Sequence, residues 1–531
     1  MNGPTMGKGT GAAMRVLWRT QWRRLVAWVV APAAGMVATA VSVAGLYDTP
    51  AKIRTYAAAV GSGHALLAVN GKVEGVDSLG GVIENEFGFL AAFVMPLLGI
   101  ALVARSTRGE EEAGRMETLL GGRVARQAPV AAALLLAGAA VLATTVAFTA
   151  GLVAVGVPLA GAALYAASLG ALALVFATLA ALVAQLVLHA RGVYALSLLV
   201  LVVAYVLRGV GDVTRTWLTW LSPLGWAERA APFGAARWWT LLVPLLLAAL
   251  LSAVAVVLAA RRDLGSSLSR GSHGPAHAAS YLHTETGLAA WLQRSTLLAW
   301  LTGSVLVAAM MGSLARQLLD AMSGNPALAN AIGVPGGRPS DGLVAVTQLY
   351  LAVIATGYTV SAVGTLREEE TTGRLEPRLA GTLSRRSWLG RNASVLVAGL
   401  VVLVSVGSLV LALTTAWSLG ESPGVGGVLA AGFSYVPAEL TFAALALAVF
   451  SVRPRVYPLA WAAFAAIAFI ALLGRGLRLP GWVIDLAPTS HVGSPPLAGP
   501  STGPLLVLTL CAVTLTLAAG SGFRRRTIPS T

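Results

Sequence analysis

Cysteine occurs once in 531 residues, at Cys511, which excludes a disulfide framework and a cysteine-based metal site. Charge is scarce as well. Asp, Glu, Lys and Arg make up 11% of the chain, 56% is hydrophobic, and the mean hydropathy is +0.77. A soluble domain needs more charged surface than that. Nucleotide-binding sequences are missing too. The "GKGT" at residues 7–10 lacks the first glycine of a phosphate loop, the Lys-Ser/Thr pair and a preceding strand. His273, His277 and His283 have no supporting carboxylates, so no metal site is expected. Short alternating segments of the outer-membrane barrel type are absent. No paired acid motif, metal cluster or nucleophile constellation lies within the apolar segments, so bond-making chemistry is not expected of this chain.

What the chain does have is apolar sequence in runs of roughly 18 to 25 residues, the length that crosses a bilayer core as helix. Twelve such runs lie near 25–46, 87–104, 129–153, 161–187, 193–208, 239–260, 297–315, 343–365, 393–416, 432–450, 456–474 and 504–521. The expected fold is an all-α polytopic membrane protein of about twelve transmembrane helices. With the N-terminus inside, the cytoplasmic segments hold most of the Lys and Arg and nearly all of the formal net charge of +15. That is the positive-inside pattern, and it sets N-in and C-in. The basic balance is thereby explained without a nucleic-acid partner. The basic region before the first run is too long for a cleaved signal peptide.

The chain repeats itself. "RGEEEAGRMETLLGGRVAR" at 108–126 returns as "REEETTGRLEPRLAGTLSR" at 367–385. Arg108, Glu110, Glu111, Gly114, Arg115 and Glu117 align without a gap on Arg367, Glu369, Glu370, Gly373, Arg374 and Glu376. Other landmarks recur in the same order: "LVAW" at 25–28 and "LLAW" at 297–300, "WLTWLSP" at 217–223 and "WVIDLAP" at 482–488, "ARRD" at 260–263 and "FRRR" at 523–526. The organisation is therefore a cytoplasmic N-terminus with an interfacial helix (1–24), a six-helix unit (25–263), a linker with a second interfacial helix (264–296), a second six-helix unit (297–523) and a basic tail (524–531). Even span numbers make the units parallel repeats with a pseudo-symmetric central pathway.

The repeated loop follows the second span of each unit. Thr107 with Glu110 and Thr365 with Glu368 form Ser/Thr-x-x-Glu patterns that predict helix caps. Gly114 and Gly373 permit a sharp turn, and the next residues read as one or two turns of amphipathic helix ending at Gly121-Gly122 and Gly381. Arginines there have a topological reason. Acids do not, since Glu contributes little to topology. Eight of them, Glu110, Glu111, Glu112 and Glu117 with Glu368, Glu369, Glu370 and Glu376, predict a partner surface that reads them. Trp18, Trp22, Arg23 and Trp291, Gln293, Arg294 read as short interfacial helices before each unit. The Trp-, Pro- and Gly-rich stretches at 209–237 and 475–503 fit either outer hairpins or simple loops. Within the spans, Glu439, Gln185 and Gln348 are candidate pathway residues, although a helix–helix hydrogen bond is the commoner role for such groups.

At these loops and at "LSPLGW" the chain resembles the fused permeases of bacterial ABC exporters, the polyketide-antibiotic (tetronasin-type) group of the ABC type-2 membrane superfamily. That superfamily carries an acidic stretch, a glycine and then Glu-x-x-Leu after its second span. Here those are Glu110–Glu112, Gly114, Glu117 and Leu120, then Glu368–Glu370, Gly373, Glu376 and Leu379, with Gly-Arg in place of Gly-Thr in both copies. The resemblance implies that each loop is a coupling helix docking on a separate ATPase, present in two copies, which binds the ATP and Mg. It further implies export of hydrophobic or amphipathic small molecules across the bacterial inner membrane. The rival reading is a proton-coupled drug transporter of the major-facilitator kind, with Glu439 as proton site. Its loop normally carries Asp-Arg and a basic end, which this one does not.

Overall fold

The computed structural model describes residues 9–60, 70–120, 124–267, 277–313, 315–316, 319, 339–421, 423–474, 479–497 and 499–527. His273 and Gly121-Gly122 lie outside them. The described residues are helical, with turns and no strand. The chain divides into two compact units, Met1–Gly274 and Pro275–Thr531.

The first unit contains α1 (Thr10–Leu46), α2 (Pro50–Val60), α3 (Leu79–Ala104), α4 (Glu110–Glu112), α5 (Arg115–Leu120), α6 (Ala128–Ala154), α7 (Leu159–Leu186), α8 (Ala190–Thr214), α9 (Pro223–Arg229) and α10 (Leu242–Arg261). The second contains α11 (Glu285–Ser313), α12 (Pro339–Thr371), α13 (Leu375–Leu379), α14 (Arg385–Leu419), α15 (Val425–Phe433), α16 (Val436–Val452), α17 (Pro458–Leu473), α18 (Gly481–Ile484) and α19 (Thr502–Arg525). Among the described residues, eleven helical stretches are long and apolar enough to cross a membrane, which makes this a multi-pass membrane protein. The remaining expected span, the eleventh at 456–474, is the shorter α17. Prolines 454 and 458 set its start and Gly474 its end, and sixteen residues of helix rise only about 24 Å.

The same packing scheme runs through both units. In the first, α1 lies on α6, α3 on α7, and α7 on α10. In the second, α11 lies on α14, α12 on α16, and α16 on α19. With lipid as apolar as leucine, burial alone does not hold such helices together, so close packing of small residues must. At the α3–α7 crossing the approach is tight. A Cβ on Gly99 would stand 2.4 Å from the Ala173 carbonyl oxygen. The core of the second unit is aromatic at the end where α19 finishes, and there Trp388 stacks on Phe523 with ring centroids 5.3 Å apart.

Three expectations change. The Trp/Arg segments are not separate interfacial helices. Trp18 and Trp22 belong to the 37-residue α1, and Trp291 to α11, because neither Gly nor Pro interrupts the chain where the apolar run begins. The Ser/Thr-x-x-Glu patterns do not cap new helices either. In the first unit the helix continues from α3 through a π-helical turn, Arg105–Gly109, into α4, and in the second α12 runs unbroken to Thr371. The Thr107 hydroxyl therefore donates back to the Val103 carbonyl instead of capping. Finally, the tenth span is two helices, α15 and α16, meeting just before Pro437, whose ring cannot continue the preceding turn.

Gly99→Ala is expected to destabilise the first unit by about 1–3 kcal/mol through the backbone clash at α7. Gly138→Ala, where a Cβ meets nothing within 4 Å, should be neutral or slightly stabilising. Thermal unfolding of the two purified variants in detergent checks both.

Candidate functional site

Helix α3 carries the first copy of the acidic motif straight out of the apolar region, so consecutive acids point to different neighbours. Glu110 is buried and takes a bidentate bond from Arg115, Nε to Oε2 at 2.6 Å and Nη2 to Oε1 at 2.8 Å. Gln21 of α1 donates to it at 3.0 Å, and Ser106 donates to Gln21 at 3.2 Å. The bond to Glu110 raises Arg115 above the usual arginine range. Glu111 sits between two guanidinium groups. Arg108 approaches at 3.0 Å, and Arg262, the residue after α10, binds both carboxylate oxygens at 2.9 and 2.8 Å. The Gly265 amide adds a bond of 2.8 Å. Arg108 is 1% exposed and also donates to the carbonyls of Ala184 and Ser266, at 2.6 and 2.9 Å. Two carboxylates and three arginines thus fasten one end of α3, α7 and α10 together.

The second copy repeats the principle with changed partners. Glu369 is bound by Arg378, which also binds Glu285 at the start of α11. Glu370 is bound by Arg526, the residue after α19. Arg526 also donates to the Phe450 carbonyl at 3.0 Å and lies 5.4 Å from the centroids of both Phe450 and Phe523. Arg367 donates to the Pro454 carbonyl at 2.9 Å. Arg385 closes the group by donating to the carbonyls of Phe523, Arg524 and Arg526.

In both units, then, the second of the matched acids is clasped by the arginine that follows the last helix. The arginine pairs at 260–263 and 523–526 signal this in the sequence. As topology charges they hide it, and pairing "ARRD" with "FRRR" aligns Arg262 with Arg525, one residue short of Arg526. Gln21 and Glu285 carry no such signal.

This arrangement corrects the expectation that all eight acids face outward. Glu110, Glu111, Glu369 and Glu370 are turned inward and satisfied by the chain's own arginines, because isolated carboxylates at the edge of an apolar bundle are costly. The apolar residue of each turn, Met116 and Leu375, is buried as well. The remaining four are exposed. Of these, Glu112 accepts from His189 at 3.2 Å and from the Ala190 amide at 3.0 Å, and so closes the start of α8. Glu368 pairs with Arg374 at 3.4 Å. Glu117 and Glu376, at matched positions, have no ion pair among the described residues and lie in the first turn of α5 and α13. Gly114 and Gly373 precede these helices with φ of 70° and 71°, the left-handed turn that lets each short helix fold back.

The intramembrane candidates are not brought together. Gln185 accepts from Arg262 at 3.2 Å and belongs to the first latch. Gln348 donates to Ser408 at 3.1 Å and to the Val428 carbonyl at 2.9 Å, a helix–helix tie. Glu439 is buried on α16, just past the break between α15 and α16. No group of three or more His, Cys, Asp or Glu that could hold a metal occurs among the described residues.

Residues 282–524 match a family model for the C-terminal domain of the multidrug efflux system permease Rv1217c. The multidrug efflux system permease protein Rv1217c of Mycobacterium tuberculosis is 32% identical over 530 residues, spanning 98% of this chain and 95% of the relative. The chain belongs to the multidrug efflux system permease family. As a permease it is a transport protein, and the paired loops lie on a membrane carrier.

In this permease the Glu370–Arg526 pair is buried, so removing one partner strands a charge. Glu370→Ala and Arg526→Ala are each expected to cost about 3–5 kcal/mol, and the double variant much less than their sum. A double-mutant cycle on thermal unfolding measures the coupling.

Proposed function

We propose that this permease is the membrane-spanning subunit of an ATP-driven exporter in the bacterial inner membrane. It moves hydrophobic or amphipathic small molecules, drugs among them, out of the cell. A separate ATPase, acting as a dimer, supplies the ATP and Mg chemistry, and the short helices α5 and α13 receive its motion. The observation that carries this reading is the matched pair of exposed acids, Glu117 and Glu376, each on a short helix tied to the end of the second span by an acid–arginine pair, Arg115–Glu110 and Arg378–Glu369, beside the latches that join that span to the last one. A push on either helix is passed to the second and last spans of its unit without slack, because the latches are buried and multiply bonded. The relative's name and the resemblance of the loops to ABC type-2 permeases support the same reading.

Glu117 and Glu376 would meet basic residues on the ATPase. Reversal to Glu117→Lys with Glu376→Lys is expected to cut drug efflux by about tenfold or more, since like charges across an interface cost several kcal/mol. Membrane insertion and melting temperature should stay as in the wild type. The assay is drug accumulation in cells expressing the permease with its ATPase partner, together with their co-purification. Full efflux in the double reversal would sink the docking role. Efflux that stops when the proton gradient collapses while ATP stays high would sink the ATP-driven reading.

A further inference from the structure

The end of the first unit opposite the latches contains a second polar cluster that the transport reading does not use. Helix α3 begins at Leu79 and places Glu84 in its second turn. Glu84 is 7% exposed, and its Oε2 has no hydrogen-bond partner. Across from it on α7 stands Tyr165, 3% exposed, whose hydroxyl is also without a partner. Both line a cavity of about 40 Å³, together with Asn70, Phe89, Arg208 and Glu228 and several apolar side chains.

The charges around the cavity do not balance at Glu84. Arg208 of α8 binds Glu228 of α9 at 2.7 Å, faces Asp212, and lies 4.6 Å from the centre of the Tyr205 ring. Burial, only partly offset by Arg208, pushes Glu228 up to about 8. Arg237 is held by Glu74 at 3.1 Å. The charged neighbours acting on Glu84 are the acids Glu228 and Glu74. Among the described residues, the one cation lining the cavity, Arg208, is thus engaged by Glu228 and Asp212, and Glu84 has no cation of its own. A carboxylate in such a place is kept only with a positive partner or a proton.

The cavity also has a built wall. The strap at residues 70–78 crosses its outer side. Gly71 packs so closely on the Arg208–Glu228 pair that a Cβ there would stand 2.0 Å from Glu228 Oε1. Its φ of 89° is in the left-handed region that glycine tolerates.

We infer that this cavity binds a primary ammonium group, the head of a small protonated amine. Its single charge answers Glu84, and its three N–H donors can bond Glu84 Oε2, the Tyr165 hydroxyl and a third lining oxygen. A cavity of about 40 Å³ has room for a water-sized polar head. An ammonium head can donate to Glu84 and Tyr165, whereas a quaternary one has no N–H to donate. The Phe89 ring among the lining residues suits a cation. The inference does not depend on how transport is energised.

The test uses the purified full chain in lipid nanodiscs, with methylammonium chloride as probe and melting temperature as readout. Methylammonium in the tens of millimolar should raise the melting temperature saturably by several degrees. Tetramethylammonium chloride and sodium chloride at equal ionic strength should not. Glu84→Gln keeps the side-chain shape and should abolish the shift. Tyr165→Phe should keep the fold and raise the half-saturating concentration roughly fivefold, as loss of one hydrogen bond predicts. If Glu84→Gln does not fold, Tyr165→Phe alone decides. An equal shift from sodium or tetramethylammonium, no saturable shift in the wild type, or an unchanged shift in a folded variant overturns the site.

Discussion

A carboxylate at the end of an apolar helix bundle has to find a cation, and in this permease it finds one that the same unit supplies last. The second acid of each repeated motif is bound by the arginine immediately after the final helix of its unit. That contact joins the second span to the last one, and the rest of that end of the unit is arranged around it. Arg108 fills the space between α7 and α10 in the first unit. An aromatic stack of Trp388, Phe450 and Phe523 supports Arg526 in the second. The short helices α5 and α13 stand on these latches, so their exposed acids are held on a rigid base.

Most of the fold was legible in the sequence, because apolar runs of spanning length leave helix as the natural solution in lipid. The boundaries were less so. Hydropathy marks where a helix leaves the apolar layer, not where its hydrogen bonds end. Trp18 and Trp22 therefore looked like a separate element although they lie on α1. Thr107 and Thr365 looked like caps because their spacing fits one, yet each sits in a helix that has not ended. The site was half visible. Repetition exposed Glu110, Glu111, Glu369 and Glu370, and their lack of a topological role showed that something reads them. That the reader is the chain itself could not be inferred, because Arg262 and Arg526 follow their acids by 151 and 156 residues. Both also have an adequate topological reason to exist. Glu84 escaped notice because the apolar run begins beyond it, near residue 87, and the helix begins before it.

Duplication has preserved the scheme while letting the parts drift. The first matched acid takes its cation five residues on in one unit and nine residues on in the other, Arg115 against Arg378. Gln21 provides the contact from α1, and Glu285 that from α11. Exposure is kept at matched positions: Glu110 and Glu369 are both buried, Glu117 and Glu376 both exposed. Strict geometry is thus retained where each unit meets itself only in outline, as acid against arginine, and residue identity is retained at the solvent-facing turn. Away from the latches the units part company. The buried carboxylate of α3 in the first unit aligns with Leu343 in the second.

The latch also imposes an order on biosynthesis. Glu111 enters the membrane-bound chain long before Arg262 exists, and Glu370 long before Arg526. During that interval Glu111 has Arg108 alone as its cation, and Glu370 lacks the arginine that binds it. Arrival of the final arginine closes the end of the second span. A six-helix unit is in this sense finished by its last residue, and a nascent chain halted within the sixth or twelfth span carries an unclosed acidic end.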